Sequence, residues 1–237
     1  MKESFYTNEN PKILLRETFL SEQAVRRNAG VPSIGGGAVL PTFFNGECTF
    51  DGAFNYIEYP RDKLRICNPE RAFTMRTRVY LTDTDASVFL QLYLSGANLS
   101  HELRFMIGGN WPVAANNDKF VLELWDSSND AATEEVRGRV YDQVLTTIAL
   151  NKWTEFVATY EGRGGPSPED GICLYMDGVQ VDNADFTYGP GAGAYDSMKY
   201  HSDLTVRVGQ NVAGKMDIME VYNYVLTAEE IRNLCPA

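Results

Sequence analysis

The chain has 237 residues, 44% of them hydrophobic and 12% aromatic, which is enough to fill a two-sheet core and excludes global disorder. Its net charge of −11 repels phosphate backbones and anionic lipid, arguing against nucleic-acid binding. No stretch approaches the roughly 18 consecutive apolar residues of a membrane span, so membrane insertion is not expected. The opening MKESFYTNENPKILLRE has neither the apolar core nor the small-residue cleavage site of a signal peptide. This points to a cytoplasmic location during synthesis, and to exit, if any, by a route such as release inside an assembled virus particle.

In chain order, residues 1–45 carry Pro, Gly and little strand pattern, and read as an N-terminal arm or extension. Within them Ser21 is placed as the N-cap of a short helix reaching Asn28. Gly35-Gly36-Gly37 is a turn, because neither a helix nor Lys-Ser/Thr follows it. Strands are then expected over Glu47–Phe50, Tyr56–Tyr59, Ala72–Leu81, Val88–Leu94, Leu103–Ile107, Phe120–Trp125, Arg139–Ile148, Trp153–Tyr160, Ile172–Met176, Leu204–Val208 and Met216–Tyr224, from β-branched and aromatic runs bounded by turn residues. In FTMRTRVYL, Phe73, Met75, Thr77, Val79 and Leu81 share one face, and Arg76, Arg78 and Tyr80 the other. Trp153 and Tyr160 read as core and rim of a central strand. Asp51-Gly52 and Asp177-Gly178 are hairpin dipeptides. Thr227 and Glu230 have the spacing of a capping box, with Ile231 and Leu234 of the short helix that follows facing the sandwich. Such short, punctuated strands predict an all-β fold, a two-sheet antiparallel sandwich with short flanking helices. Cys48, Cys67, Cys173 and Cys235 form no CxxC pair and only two histidines accompany them, so zinc is not indicated. They read as free thiols, with a disulfide the open alternative.

Six segments in order, FDGAFNYIEYP (50–60), AFTMRTRVYL (72–81), KWTEFVATYEG (152–162), ICLYMDGVQV (172–181), LTVRVGQ (204–210) and GKMDIMEVYNYVLTAEEIRNL (214–234), resemble the laminin-G-like and pentraxin-like branch of the concanavalin A-like lectin/glucanase superfamily. The resemblance implies a laminin-G-like jelly roll over residues 46–237. It also implies a structural Ca2+ on Asp217, with Asn45, Gly46 and Asp51 as partners, since calcium needs six to eight oxygens. A turn-capping role for Asp217 is the equal alternative.

Lys215–Glu220 (KMDIME) resembles the carboxylate strand of family-16 glycoside hydrolases. A retaining mechanism needs two carboxylates about 5 Å apart, and Lys215 stands where the nucleophile belongs, so no catalytic residue is expected. Trp111, Tyr188, Tyr195 and Tyr200 lie in expected loops, where their rings could stack on sugars or simply pack locally. The expectation is therefore a non-catalytic lectin-like module for adhesion or coating. Its leading setting is a phage virion, as a capsid decoration or tail-associated protein on the virion surface, and its partner is a glycan or a larger assembly. The alternatives are a free calcium-dependent carbohydrate-binding lectin and a divergent glycoside hydrolase.

Overall fold

Alternation decides how the strands lie. In the segment Phe73–Leu81, Phe73, Met75, Val79 and Leu81 are buried in the main core, while Arg78 and Tyr80 of the opposite parity reach solvent. A computed structural model describes residues 13–34, 39–53, 55–60, 64, 71–84, 87–94, 101–108, 119–127, 136–144, 148–162, 171–181, 183–188 and 204–235.

The strands are β1 (Ile13–Glu17), β2 (Val31–Ile34), β3 (Thr42–Phe44), β4 (Glu47–Asp51), β5 (Asn55–Tyr59), β6 (Phe73–Leu81), β7 (Val88–Leu94), β8 (His101–Gly108), β9 (Lys119–Ser127), β10 (Val136–Val144), β11 (Trp153–Tyr160), β12 (Ile172–Met176), β13 (Val179–Gln180), β14 (Asn183–Tyr188), β15 (Leu204–Val208) and β16 (Ala213–Tyr222); the helices are α1 (Glu22–Arg27) and α2 (Ala228–Leu234). They form a two-sheet antiparallel jelly-roll sandwich. The first sheet runs β13-β12-β11-β6-β16-β4-β3, with β1 also paired to β16; the second runs β14-β10-β9-β8-β7-β15-β5-β2.

An aromatic cluster ties the two sheets together. Phe156 of β11 lies 5.1 Å from Phe89 of β7 and 5.0 Å from Phe120 of β9, measured between ring centroids. Phe105 completes the cluster at 5.5 Å from Phe89 and 5.4 Å from Phe120. Such pairs contribute about 0.5–1.5 kcal/mol each beyond the apolar area they bury.

Residues 13–45, expected as an arm or extension, supply strands to both sheets. β1 pairs with β16, β2 with β5 and β3 with β4, and Leu15, Phe19 and Val25 enter the main core. These strands were not legible because ILLRE does not alternate, VPSI contains proline and TFF is only three residues long. Ser21 does cap α1, accepting from the Ala24 amide at 3.1 Å.

The expected roles of Trp153 and Tyr160 are reversed. Phe156, Ala158 and Tyr160 share inward parity and are fully buried, whereas Trp153 is half-buried beside Tyr80. Phe156→Ala is therefore expected to lower the unfolding free energy by about 3–5 kcal/mol in urea melts. Trp153→Ala should cost clearly less, and the opposite ranking would contradict this packing.

Candidate functional site

The carboxylates of the hydrolase-like segment lie on the outer face of the first sheet, and their geometry begins with a bulge. The register of β16 against β6 shifts between Met216 and Ile218, so Met216 and Met219 both reach the core although they are three residues apart. Beyond the shift, Glu220 stands opposite Arg76. Arg76 is buried and grips Glu155 through Nε and Glu220 through Nη1 at 2.6 Å, while Nη2 donates to the Leu234 carbonyl at 2.7 Å. Arg16 and the Tyr222 hydroxyl also donate to Glu220. Burial pushes the Glu220 carboxyl up, but the Arg76 and Tyr222 hydrogen bonds, with the charge of Arg76, outweigh it and hold the group below its ordinary range. A general acid for glycoside hydrolysis needs the opposite shift.

Lys215 is paired with Glu47 at 2.8 Å. Asp217 Oδ2 accepts from Arg78 at 2.8 Å, and the Arg78 guanidinium lies over the Trp153 ring, 5.1 Å from its centroid. Burial raises the Asp217 carboxyl, and Arg78 opposes this without reversing it. Asp217 Oδ1 is buried with no hydrogen-bond partner.

The four residues expected to hold calcium do not converge. Asn45 and Gly46 both have positive φ, 51° and 78°, and form the two-residue hairpin between β3 and β4, the use to which Asn-Gly is best suited. Asp51 stands at the other end of β4, about 17 Å from Gly46 at the usual strand rise, and opposite Ala213. Its carboxylate already accepts from the Ala53 amide at 2.9 Å and the Val39 amide at 3.2 Å. Asp217 offers one orphan oxygen, but its other oxygen is held by a guanidinium. This donor set does not fit a six- to eight-oxygen calcium shell, and among the described residues no three His, Cys, Asp or Glu side chains cluster as metal ligands. Of the expected sugar-stacking rings, Trp111, Tyr195 and Tyr200 lie outside the described residues. Tyr188 ends β14, with its backbone opposite Arg139; its side chain lies outside those described.

The second sheet carries a feature not expected from sequence. Reading across its outer face, Glu58 stands opposite Arg207, Arg207 opposite Gln91, Gln91 opposite Arg104, and Arg104 opposite Glu123. One transverse row thus alternates acid, base, amide, base and acid over five strands. Arg207 donates to Glu58 at 3.2 Å and to Gln210 at 3.4 Å, and its guanidinium stacks 4.3 Å from the Tyr56 ring centroid. Gln91 donates to Gln210 at 2.6 Å, and Arg104 pairs with Glu123 at 3.5 Å. Gln91 and Glu123 are buried, whereas Tyr56, Glu58, Arg207 and Gln210 are partly open to solvent. Part of the signal was in the sequence, since Tyr56 and Glu58 in NYIEY alternate with buried Ile57 and Tyr59, and Arg207 in LTVRV with buried Val206 and Val208.

A laminin-G model described as concanavalin A-like lectin/glucanases superfamily matches residues 51–232. The chain belongs to this superfamily. Among solved structures, this lectin/glucanase-like chain is similar to domain 4 of AbnA, a GH43 extracellular arabinanase from Geobacillus stearothermophilus, solved with arabinotriose. The identity is 13%, the TM-score 0.58, and the match covers 95% of this chain and 98% of that domain. It is also similar to Trypanosoma rangeli sialidase in complex with the inhibitor DANA, at 15% identity and TM-score 0.51, over 86% of this chain but only 32% of the sialidase. The superfamily member thus spans about a third of that enzyme. A search among curated proteins finds no match.

The metal geometry is directly testable. The thermal melt should be unchanged between chelator and saturating calcium. A bound ion at 100 times its dissociation constant would add about 2.7 kcal/mol, so a calcium-dependent rise that Asp217→Asn removes would overturn this reading.

Proposed function

We propose that this chain is a non-catalytic glycan-binding module, and that its ligand lies at the open end of the polar row on the outer face of the second sheet, over Glu58, Arg207 and Tyr56. The observation that carries the proposal is the alignment of Glu58, Arg207, Gln91, Arg104 and Glu123 across five adjacent strands, with Tyr56 beside Arg207. Sugar hydroxyls are recognised by fixed donors and acceptors next to a ring face. Gln91 and Glu123 are buried, so the part of the row that a ligand reaches is Glu58 and Arg207, with the Tyr56 ring beside them.

Two arguments favour binding over turnover. Glu58 and Glu123 stand at the ends of the row, well beyond the roughly 5–9.5 Å that separate the two carboxylates of retaining or inverting enzymes. On the other sheet, Lys215, Asp217 and Glu220 are held in ion pairs. The arabinanase domain that aligns over nearly the whole chain was solved with arabinotriose, which makes arabino-oligosaccharides the first ligands to try. Adhesion or coating is the use such a module would serve, with the surface of a virus particle as one setting, by fold analogy alone.

The test is a glycan array followed by calorimetry, with a reducing-end assay on the same ligands. Binding without hydrolysis is expected. Arg207→Ala and Tyr56→Ala should each weaken binding at least about tenfold, or 1.4 kcal/mol. Product release that Glu220→Gln abolishes would establish a divergent hydrolase instead. Calcium-dependent binding would favour a calcium lectin, and an array without a single hit would overturn the glycan reading.

A further inference from the structure

At the open end of the polar row, one carboxylate oxygen has no donor among the described residues. Glu58 Oε2 accepts from Arg207 Nε at 3.2 Å and from the Thr205 hydroxyl at 3.3 Å, whereas Glu58 Oε1 receives no hydrogen bond from those residues. The cation beside it is closed in. Arg207 Nη1 donates to Gln210, and the guanidinium lies over the Tyr56 ring. Only 11% of the Arg207 side chain is left to solvent, against 33% of Glu58.

Register sets the neighbours. β2 borders β5, with Val31 opposite Glu58 and Ser33 opposite Tyr56. Val31 is half exposed, and Pro32 between the two is buried. Thr205 has the same parity as Arg207 on β15. Among Val31, Ser33, Tyr56, Glu58, Thr205 and Arg207, the outward residues here, only Glu58 and Arg207 carry charge.

Taking the site as glycan-binding, as proposed above, we infer that its ligand is an uncharged glycan and that Glu58 sets this choice. The free Glu58 oxygen accepts a hydrogen bond from a sugar hydroxyl, and its charge turns away sugars that carry carboxylate or sulfate. Acidic sugars are recognised through cations, most specifically by the paired N–H groups of an arginine fork. Here that fork is already engaged. An incoming carboxylate would have to displace Glu58 from Nε, and it would meet the more exposed Glu58 charge first. Within the ion pair the two charges cancel, so from further off the field is that of the whole chain, −11, which repels polyanions.

A neutral sugar meets the opposite circumstances. Its hydroxyl finds an ionised acceptor, and such charge-assisted bonds are roughly twice as strong as neutral ones. Arg207 and Thr205 already hold the carboxylate in place, so little ordering is left to binding. The exposed Val31 side chain and the Tyr56 ring offer apolar surface to the C–H groups of the sugar beside that contact.

The test is a glycan array followed by calorimetry on the full chain. The array carries arabino-, cello- and manno-oligosaccharides, glucuronan and mannuronan oligomers, and glycans in sialylated and desialylated form. The hits are expected to be neutral, with the acidic counterpart of a hit weaker by at least about tenfold, or 1.4 kcal/mol. High salt should leave the neutral affinity unchanged and shrink that gap, because the repulsion is screened. Glu58→Gln keeps an acceptor and removes the charge, so the neutral-to-acidic ratio should fall at least about threefold. Glu58→Ala removes both and should weaken the neutral ligand at least about tenfold, with melting curves confirming that the variants fold. If the alanine variant does not fold, the ratio in the unaltered chain and in Glu58→Gln decides. An acidic glycan that binds as tightly as the best neutral one, or a ratio that Glu58→Gln leaves unchanged, would overturn the inference while leaving a glycan-binding module in place. An array without a single hit would instead reject glycan binding itself.

Discussion

The Arg76 guanidinium joins three strands and a helix. It stands on β6, bonds Glu155 of β11 and Glu220 of β16, and reaches the Leu234 carbonyl at the end of α2. A buried ion pair contributes little net stability relative to well-packed apolar groups, but removing one partner leaves a charge stranded and costs about 3–5 kcal/mol. That asymmetry gives the contact its structural weight. With Arg76 in place, α2 lies over the outer face of the first sheet, and Ile231 completes a second apolar cluster with Val157, Tyr175, Tyr222 and Leu226. Cys235 is drawn into the same region, and burial, reinforced by the charge of Glu155, pushes its thiol up to about 12. At neutral pH that thiol stays protonated.

The three surfaces of the sandwich are consequently unlike. The helix and its ion pairs occupy much of one face. The opposite face carries a polar row that is closed at Gln91 and Glu123 and partly open at Glu58, Arg207 and Tyr56. The N-terminal strands expose single apolar side chains, among them Val31, Ile34 and Phe44.

Much of this was legible where the pattern was regular. Val88–Leu94, Trp153–Tyr160, Ile172–Met176 and Leu204–Val208 are strands with the expected bounds. The capping box at Thr227 and Glu230 is formed, with the Glu230 amide donating to the Thr227 hydroxyl at 3.2 Å. The reading failed where backbone geometry departs from simple alternation. The bulge in β16 reorders the faces of Lys215–Glu220. Asn45 and Gly46, which the family resemblance implied as calcium partners, form the hairpin between β3 and β4. The charged row on the second sheet was hidden because its members come from five separate segments, and only the register brings them into line.

The account rests on the acidic side chains of β16 being structural rather than catalytic, and the titration of Glu220 tests that most directly. Folded Glu220 is held below its ordinary value of 4.5, so its contribution to stability is present above that value and is lost as pH falls through the folded one. The side-chain carboxyl carbon of Glu220, followed by NMR from pH 7 downward, should titrate below 4.5 and in step with loss of stability. A Glu220 carboxyl that titrates above 4.5 in the folded protein would contradict the account, because that is the behaviour of a group held ready to give up a proton.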